Sequence, residues 1–239
     1  MGAPKFSVVI PFFNEEGNAR ALLAETLASM AGLGGDFEVL MVDDASRDRT
    51  ADILAEIAHA DPRCVLLSNA RNAGQAASLQ RGFLAARGDW ILTMDGDGQN
   101  DPADYPALWA RLAETGADMV VGVRANRQDS ALRLRMSRVA NAVRGRILRD
   151  GVDDSGCALK IFRREVVESF LPMKTLYSFM PALAVAGGYK VVQAPVNHRP
   201  RAAGVSNYGL RVMLWRPLVD LLGVWWFTRR SFPVRRIGG

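Results

Sequence analysis

Asp95 and Asp97, in the run Trp90-Ile91-Leu92-Thr93-Met94-Asp95-Gly96-Asp97-Gly98-Gln99, carry the most direct offer of chemistry in this chain. Two carboxylates separated by one residue can share a divalent cation if the backbone between them turns, and Gly96 and Gly98 permit such a turn. Mg2+ keeps few protein ligands and completes its shell with water and phosphate oxygens, so the pair suits a nucleoside diphosphate. An EF-hand loop would need Gly at its sixth position and Glu at its twelfth. Counted from Asp95, those positions hold Asn100 and Pro106. A phosphatase working through an aspartyl-phosphate would carry its acid pair on the first strand. Here strand-like runs precede Asp95.

These acids must be positioned by the elements around them. The apolar run before Asp95 reads as a buried strand, and ligands of open α/β sheets sit beyond the carboxyl ends of strands. Similar runs at Phe6–Ile10, Phe37–Val42, Cys64–Leu67, Trp90–Met94 and Met119–Val121 alternate with helix-like stretches at Ala19–Met30, Thr50–His59, Gln75–Arg87 and Ala103–Thr115. That alternation predicts a single α/β domain, a mostly parallel sheet flanked by helices, over residues 1–210. The first strand runs into Pro11-Phe12-Phe13-Asn14-Glu15-Glu16, so the dinucleotide fingerprint is absent. The second ends at Asp43-Asp44-Ala45-Ser46. Acids there can accept hydrogen bonds from ribose hydroxyls or a base N–H, or can cap the next helix, for which Ser46 and Asp48 are also suited. Asp43 is assigned to the ligand; both roles stay open for Asp44.

A chain of 239 residues with 49% hydrophobic and 23% charged residues has the composition of an ordinary globular domain. Cys64 and Cys157 lie in apolar stretches and read as reduced core thiols, and two thiols make no zinc site. No apolar signal stretch is visible in Met1–Ser7, so the expected compartment is the cytosol. The net charge of +5 is concentrated in two arginine clusters, one from Arg124 to Arg149 and one at Arg229, Arg230, Arg235 and Arg236. Aromatics do not interleave with the first cluster, which argues against a base-stacking surface and a nucleic-acid partner. Within residues 131–149, Leu132, Met136, Val139, Val143 and Ile147 recur at helical spacing among arginines, predicting a helix that faces either the core or a phosphate or membrane surface. The tail, 211–239, holds an apolar stretch too short to cross a bilayer; Trp225, Trp226, Arg229 and Arg230 predict an interfacial anchor on an anionic membrane, with packing on the domain as the other reading.

Taken in order, several motifs resemble the family 2 glycosyltransferases of the GT-A fold, and within them the dolichol-phosphate mannosyltransferase-like branch. They are Val8–Glu15, Val42–Ser46, Arg71–Gln75, Met94–Pro102, Val121–Arg124, Asp154–Lys160 and His198–Tyr208. The resemblance implies that Pro11, Glu15 and Asp43 line a nucleotide pocket and that Asp95, Asp97 and Gln99 hold Mg2+ or Mn2+ against the diphosphate. It implies that Arg124 and Arg138 grip an acceptor phosphate. Asp44, Asn72, Arg199, Arg201 and Ser206 fall in matching segments and are assigned to the donor side. The family usually has Lys where this chain has Asn207, a charge that Arg199 or Arg201 could replace, and Phe13 stands where Tyr is common.

The implied activity is an inverting, metal-dependent transfer of a sugar from a nucleoside-diphosphate sugar to a polyprenyl phosphate. The implied location is the inner face of the cell membrane, with room for a membrane-protein partner. A phosphate monoester is already ionised, so no strong base is needed; a sugar hydroxyl would require one, with Asp154 or Asp153 as the candidate. Two rivals therefore stand beside the first reading: the same fold acting on a hydroxyl acceptor, and a non-catalytic membrane-surface module. A nucleotidyltransferase would want a Gly-rich basic loop after the first strand, which Pro11–Gly17 does not provide.

Overall fold

The structure, a computed structural model, describes residues 3–125, 131–200 and 210–236; side chains in 131–138 and 210–218, and that of Arg236, lie outside the description. The chain runs β1 (Phe6–Phe12), α1 (Ala19–Gly32), β2 (Phe37–Asp43), α2 (Thr50–Ala60), β3 (Cys64–Ser68), α3 (Gln75–Ala85) and β4 (Trp90–Thr93). It continues through α4 (Tyr105–Thr115), β5 (Met119–Arg124), α5 (Ala131–Leu148), β6 (Lys160–Arg163), α6 (Leu176–Ala186), β7 (Val191–Val196) and α7 (Leu210–Arg230). The strands form one sheet in the order β3-β2-β1-β4-β6-β5-β7. All neighbours pair in parallel except β6, which is antiparallel to both β4 and β5.

Every residue of β1 and β2 is buried, as expected of strands covered on both faces. Alternate side chains serve opposite layers. Phe6, Val8, Ile10 and Phe12 pack with Leu23 of α1, Leu54 of α2 and Leu108 of α4. Val9, Leu40 and Val42 pack with Leu79 and Phe83 of α3, Leu183 of α6 and Val224 of α7.

The five sequence-predicted strands and four helices all form, with ends shifted by a few residues. Three elements were not foreseen. β6 has only Ile161 and Phe162 between two basic residues, β7 contains Gln193 and Pro195, and α6 contains Pro181. Each is held by its neighbours rather than by a local pattern.

Residues 211–236 are not a detached tail. Leu221 and Val224 are buried against α6, and Thr175 Oγ1 donates to Asp220 Oδ2 at 2.6 Å. Arg235 returns to the base of the sheet, donating from Nη1 to Asp118 Oδ2 at 2.5 Å and from its backbone N–H to Gly187 O. The outer side of α7 nevertheless exposes Val219, Leu222 and Trp226, while the guanidinium of Arg229 lies over Trp225 and that of Arg230 over Trp226. No helix among the described residues is long and apolar enough to cross a membrane.

α3 lies directly on the sheet because Gly82 has no side chain: a Cβ there would stand 2.3 Å from Val9 Cγ1. Gly82→Ala should therefore destabilise the fold by about 1–3 kcal/mol, the usual cost of overpacking a core. Urea unfolding checks this, and an unchanged midpoint would contradict the packing.

Candidate active site

The carboxyl ends of β1, β2, β4 and β5 share one edge of the sheet, and the acids singled out above gather there. The loops after β1 and β2 are knitted together. Asn14 N–H donates to Ser46 Oγ at 3.0 Å, Arg47 N–H to Asn14 Oδ1 at 2.8 Å, and Glu15 N–H to Thr50 Oγ1 at 2.8 Å. Glu15 itself accepts from Asn18 Nδ2 at 2.6 Å, and Pro11 is buried. Asp43 ends β2 opposite Phe12 of β1, buried, with both its oxygens 3.3 Å from Ser46 N.

Asp44 does something else. Its carboxylate accepts from Asn69 Nδ2 at 2.7 Å, Ala73 N at 2.8 Å and Gly74 N at 2.8 Å, so it holds the loop that leads into α3 and carries the exposed Asn72. It does not cap α2. Asp48, two residues before that helix, accepts from its first N–H, Thr50 N, at 3.0 Å.

Beyond β4 the chain turns tightly over Pro11 and Phe12. A Cβ on Gly96 would lie 2.7 Å from Pro11 O and from Phe12 Cδ1, and Gly98 has φ +73°, so both glycines are required by the turn. Asp95 Oδ1 accepts from Gln75 Nε2 at 2.5 Å, its N–H faces Asn100 Oδ1 at 3.3 Å, and Asp97 Oδ1 accepts from Gln99 N at 3.1 Å. Burial pushes the Asp95 carboxyl up to about 6, the neighbouring charge of Asp97 adds to this, and Lys160 opposes it. Two carboxylates that repel each other at one turn fit a divalent cation, which would relieve that repulsion. No group of three His, Cys, Asp or Glu among the described residues forms a closed cage. Asp95 and Asp97, with Gln99 beside them, would thus supply few ligands and leave the remainder to phosphate oxygens, as Mg2+ prefers.

The third wall comes from β5 and β6. Arg124 ends β5 and forms a bidentate pair with Asp154, Nε to Oδ2 at 2.8 Å and Nη2 to Oδ1 at 2.8 Å. The two side chains are only 18% and 8% exposed, so the pair is largely withdrawn from water. Asp153 is exposed and bonded to Gln193.

Lys160 was part of a motif in the sequence but was given no role. Because β6 is antiparallel, its first residue enters the sheet at the carboxyl edge, opposite Thr93 of β4 and Val121 of β5. It is 1% exposed, its ammonium donates to Cys157 O, and Asp95 and Asp154 favour its charge against the burial that opposes it. A lysine beside an apolar strand was the available signal.

Other assignments land elsewhere. Arg199 is engaged outside the acid cluster, by Glu25 at 2.6 Å and Asp101 at 2.7 Å. Its backbone N–H bonds Gln99 O at 2.9 Å, so it braces the turn that carries Asp95 and Asp97. Arg138, Arg201, Ser206 and Asn207 lie outside the described residues. Arg144, one of the basic cluster, is buried against Asp150 and Val152 O and so faces inward, whereas Val139 and Val143 of the apolar stripe are exposed. Cys64 and Cys157 are buried free thiols, each pushed by burial up to about 11.

The model of glycosyl transferase family 2 matches residues 7–171, which spans the strands and loops that build this edge. The chain belongs to that family. It is 37% identical over 209 residues to the undecaprenyl-phosphate 4-deoxy-4-formamido-L-arabinose transferase of Edwardsiella ictaluri, covering 87% of this chain and 64% of that protein. Against the enzyme of the same name from Pseudomonas aeruginosa it is 40% identical over 210 residues, covering 87% and 61%. The chain thus spans a little under two thirds of the length of these relatives. Solved structures of family-like fold include mannosyl-3-phosphoglycerate synthase from Rubrobacter xylanophilus, with a TM-score of 0.71, 17% identity, and 98% of this chain and 75% of that one covered. Another is glucosyl-3-phosphoglycerate synthase from Mycobacterium tuberculosis, solved with Mn2+, UDP and glucosyl-3-phosphoglycerate, with a TM-score of 0.66, 19% identity, and 96% and 81% covered. At these identities the likeness establishes the shared GT-A-type architecture.

The raised Asp95 has a consequence for this family 2 chain in the absence of metal. A carboxyl whose folded pKa exceeds its unfolded value contributes stability below the unfolded pKa, about 4, and loses it as pH rises through about 6. In EDTA, Asp95→Asn should therefore gain stability relative to the parent chain across that interval. Thermal unfolding at stepped pH checks it; a difference that does not change with pH would contradict the burial and repulsion described.

Proposed function

We propose that this chain transfers a sugar from a nucleoside-diphosphate sugar to a polyprenyl phosphate, with inversion at the sugar carbon, at the inner surface of the cell membrane. The observation that carries the reading is the turn bearing Asp95 and Asp97 at the carboxyl edge, on the same edge as Asp43, in a chain whose relatives are named as undecaprenyl-phosphate sugar transferases. Asp43 and Glu15 face the nucleoside end, and Asp95, Asp97 and Gln99 hold Mg2+ or Mn2+ at the diphosphate end. A cation held there supplies Lewis-acid stabilisation of the leaving diphosphate.

Arg124 provides charge-assisted hydrogen bonding for the incoming phosphate and orients it for in-line attack. The pairing of Asp154 supports a phosphate acceptor over a hydroxyl: a carboxylate locked bidentately on a guanidinium is a poor general base, and an ionised phosphate needs none. The exposed apolar and Trp–Arg side of α7 supports contact with an anionic lipid surface.

Asp97→Ala should abolish metal-stimulated transfer to undecaprenyl phosphate, lowering turnover at least about 10²-fold, the scale of one lost charge stabiliser, while the fold persists. A radiolabelled-sugar transfer assay with and without Mn2+ reads it, and a variant that keeps its full Mn2+ dependence would contradict the assignment.

Asp154→Asn should reduce transfer by less than about 10²-fold, the lower end of a general base's contribution. A fall of about 10²–10⁴-fold with circular dichroism unchanged would instead favour a hydroxyl acceptor.

A further inference from the structure

Asp95 is held from the side as well as by its own turn. Gln75 opens α3, is half-buried, and directs its amide at Asp95 Oδ1, 2.5 Å away. It stands there for two reasons. The helix is seated on β1 and β2 by the missing side chain of Gly82, which fixes its direction. The two residues before it, Ala73 and Gly74, donate their backbone N–H groups to Asp44, which fixes its start. Asp44 in turn donates its own N–H to Phe12 O at 2.9 Å, so the whole assembly is referenced to the end of β1.

The chemistry of the contact is specific. A carboxylate can rotate, and either oxygen can face a cation; a donor fixed on Oδ1 selects one orientation and leaves Oδ2 for coordination. An amide does this with no net charge, whereas a lysine or arginine in the same place would repel the cation. Partners of this kind, one step removed from the metal, orient the ligands that touch it.

We propose that Gln75 is a positioning residue for the divalent cation at Asp95, and that Asp44, although beside the nucleotide-binding Asp43, acts through Gln75 rather than on the nucleotide. This rests on the metal-dependent reading above. It assigns Asp44 to the metal end of the site, and it ties the loop after β2 to the turn after β4.

The test is Mn2+ binding by the full chain, followed by electron paramagnetic resonance, with Mn2+ alone and with UDP as the diphosphate probe. Gln75→Leu keeps the bulk of the side chain and removes the donor. It should raise the Kd for Mn2+ about 10–100-fold, the usual effect of losing such a partner, with the thermal midpoint little changed. Asp44→Asn should weaken Mn2+ binding in the same sense, and the double variant should be no worse than the weaker single one, because both changes break one chain of contacts. UDP binding in EDTA should be unaltered in both. A Gln75→Leu chain that binds Mn2+ like the parent overturns the role of Gln75, whatever happens to its midpoint. Additive losses, or a weakened UDP affinity in EDTA for Asp44→Asn, overturn the role of Asp44. If the parent chain binds no Mn2+ under either condition, the metal-dependent reading fails and this inference falls with it.

Discussion

Like charges crowded at one edge of a sheet are the constraint on which the rest of this structure depends. Asp43, Asp44, Asp95, Asp97 and Asp154 all sit at or near the carboxyl ends of β2, β4 and β5, where solvent is limited and repulsion is strong. Each is handled differently. Asp44 is neutralised by backbone and amide donors, Asp154 by the guanidinium of Arg124, and Asp95 by Gln75 in front and the charge of Lys160 behind. Asp97 shares the glycine-bounded turn with Asp95, and its charge adds to the burial that already weighs on that carboxyl. On the function proposed above, a divalent cation at this turn would relieve the repulsion between the two carboxylates.

The antiparallel strand β6 is the less obvious part of the design. A purely parallel sheet would bring only strand carboxyl ends to this edge. By reversing β6, the chain delivers the first residue of a strand to the same place, and that residue is Lys160. Its side chain is buried there; burial lowers its pKa, and the charges of Asp95 and Asp154 both oppose that loss. Burying an amine is costly, and here the carbonyl of Cys157 accepts its hydrogen bond.

Much of the fold was legible in the sequence because its first half repeats one rule. Apolar runs of three to six residues become strands, β1 and β2 among them buried on both faces, and Pro or Gly marks many of the intervals. The tight turn after β4 was legible for the same reason: Gly96 and Gly98 stand between and after the two acids, and the turn requires both glycines. What could not be read was whatever tertiary pairing decides. β6 lacks an apolar run of its own, and β7 carries Gln193 and Pro195. Asp44 read as either a nucleotide ligand or a helix cap; the partners it has in the fold come from a loop some thirty residues onward, which no local pattern announces. Arg144 looked like part of a solvated basic face until Asp150, beyond the end of its helix, drew it inward. The outward apolar side chains Val139 and Val143 reverse the usual inference from helical spacing, which identifies a stripe but not what covers it.

On the function proposed above, the turn from Asp95 to Gln99 holds the cation that meets the donor diphosphate. An anomalous difference map from crystals of the full chain grown with Mn2+ and UDP tests it most directly. A single strong peak is expected within about 2.0–2.3 Å of a carboxylate oxygen of Asp95 or Asp97 and of a diphosphate oxygen, the range of metal–oxygen bonds for such ions. A peak elsewhere, or an ordered diphosphate at this edge with no metal beside Asp95 and Asp97, would contradict it.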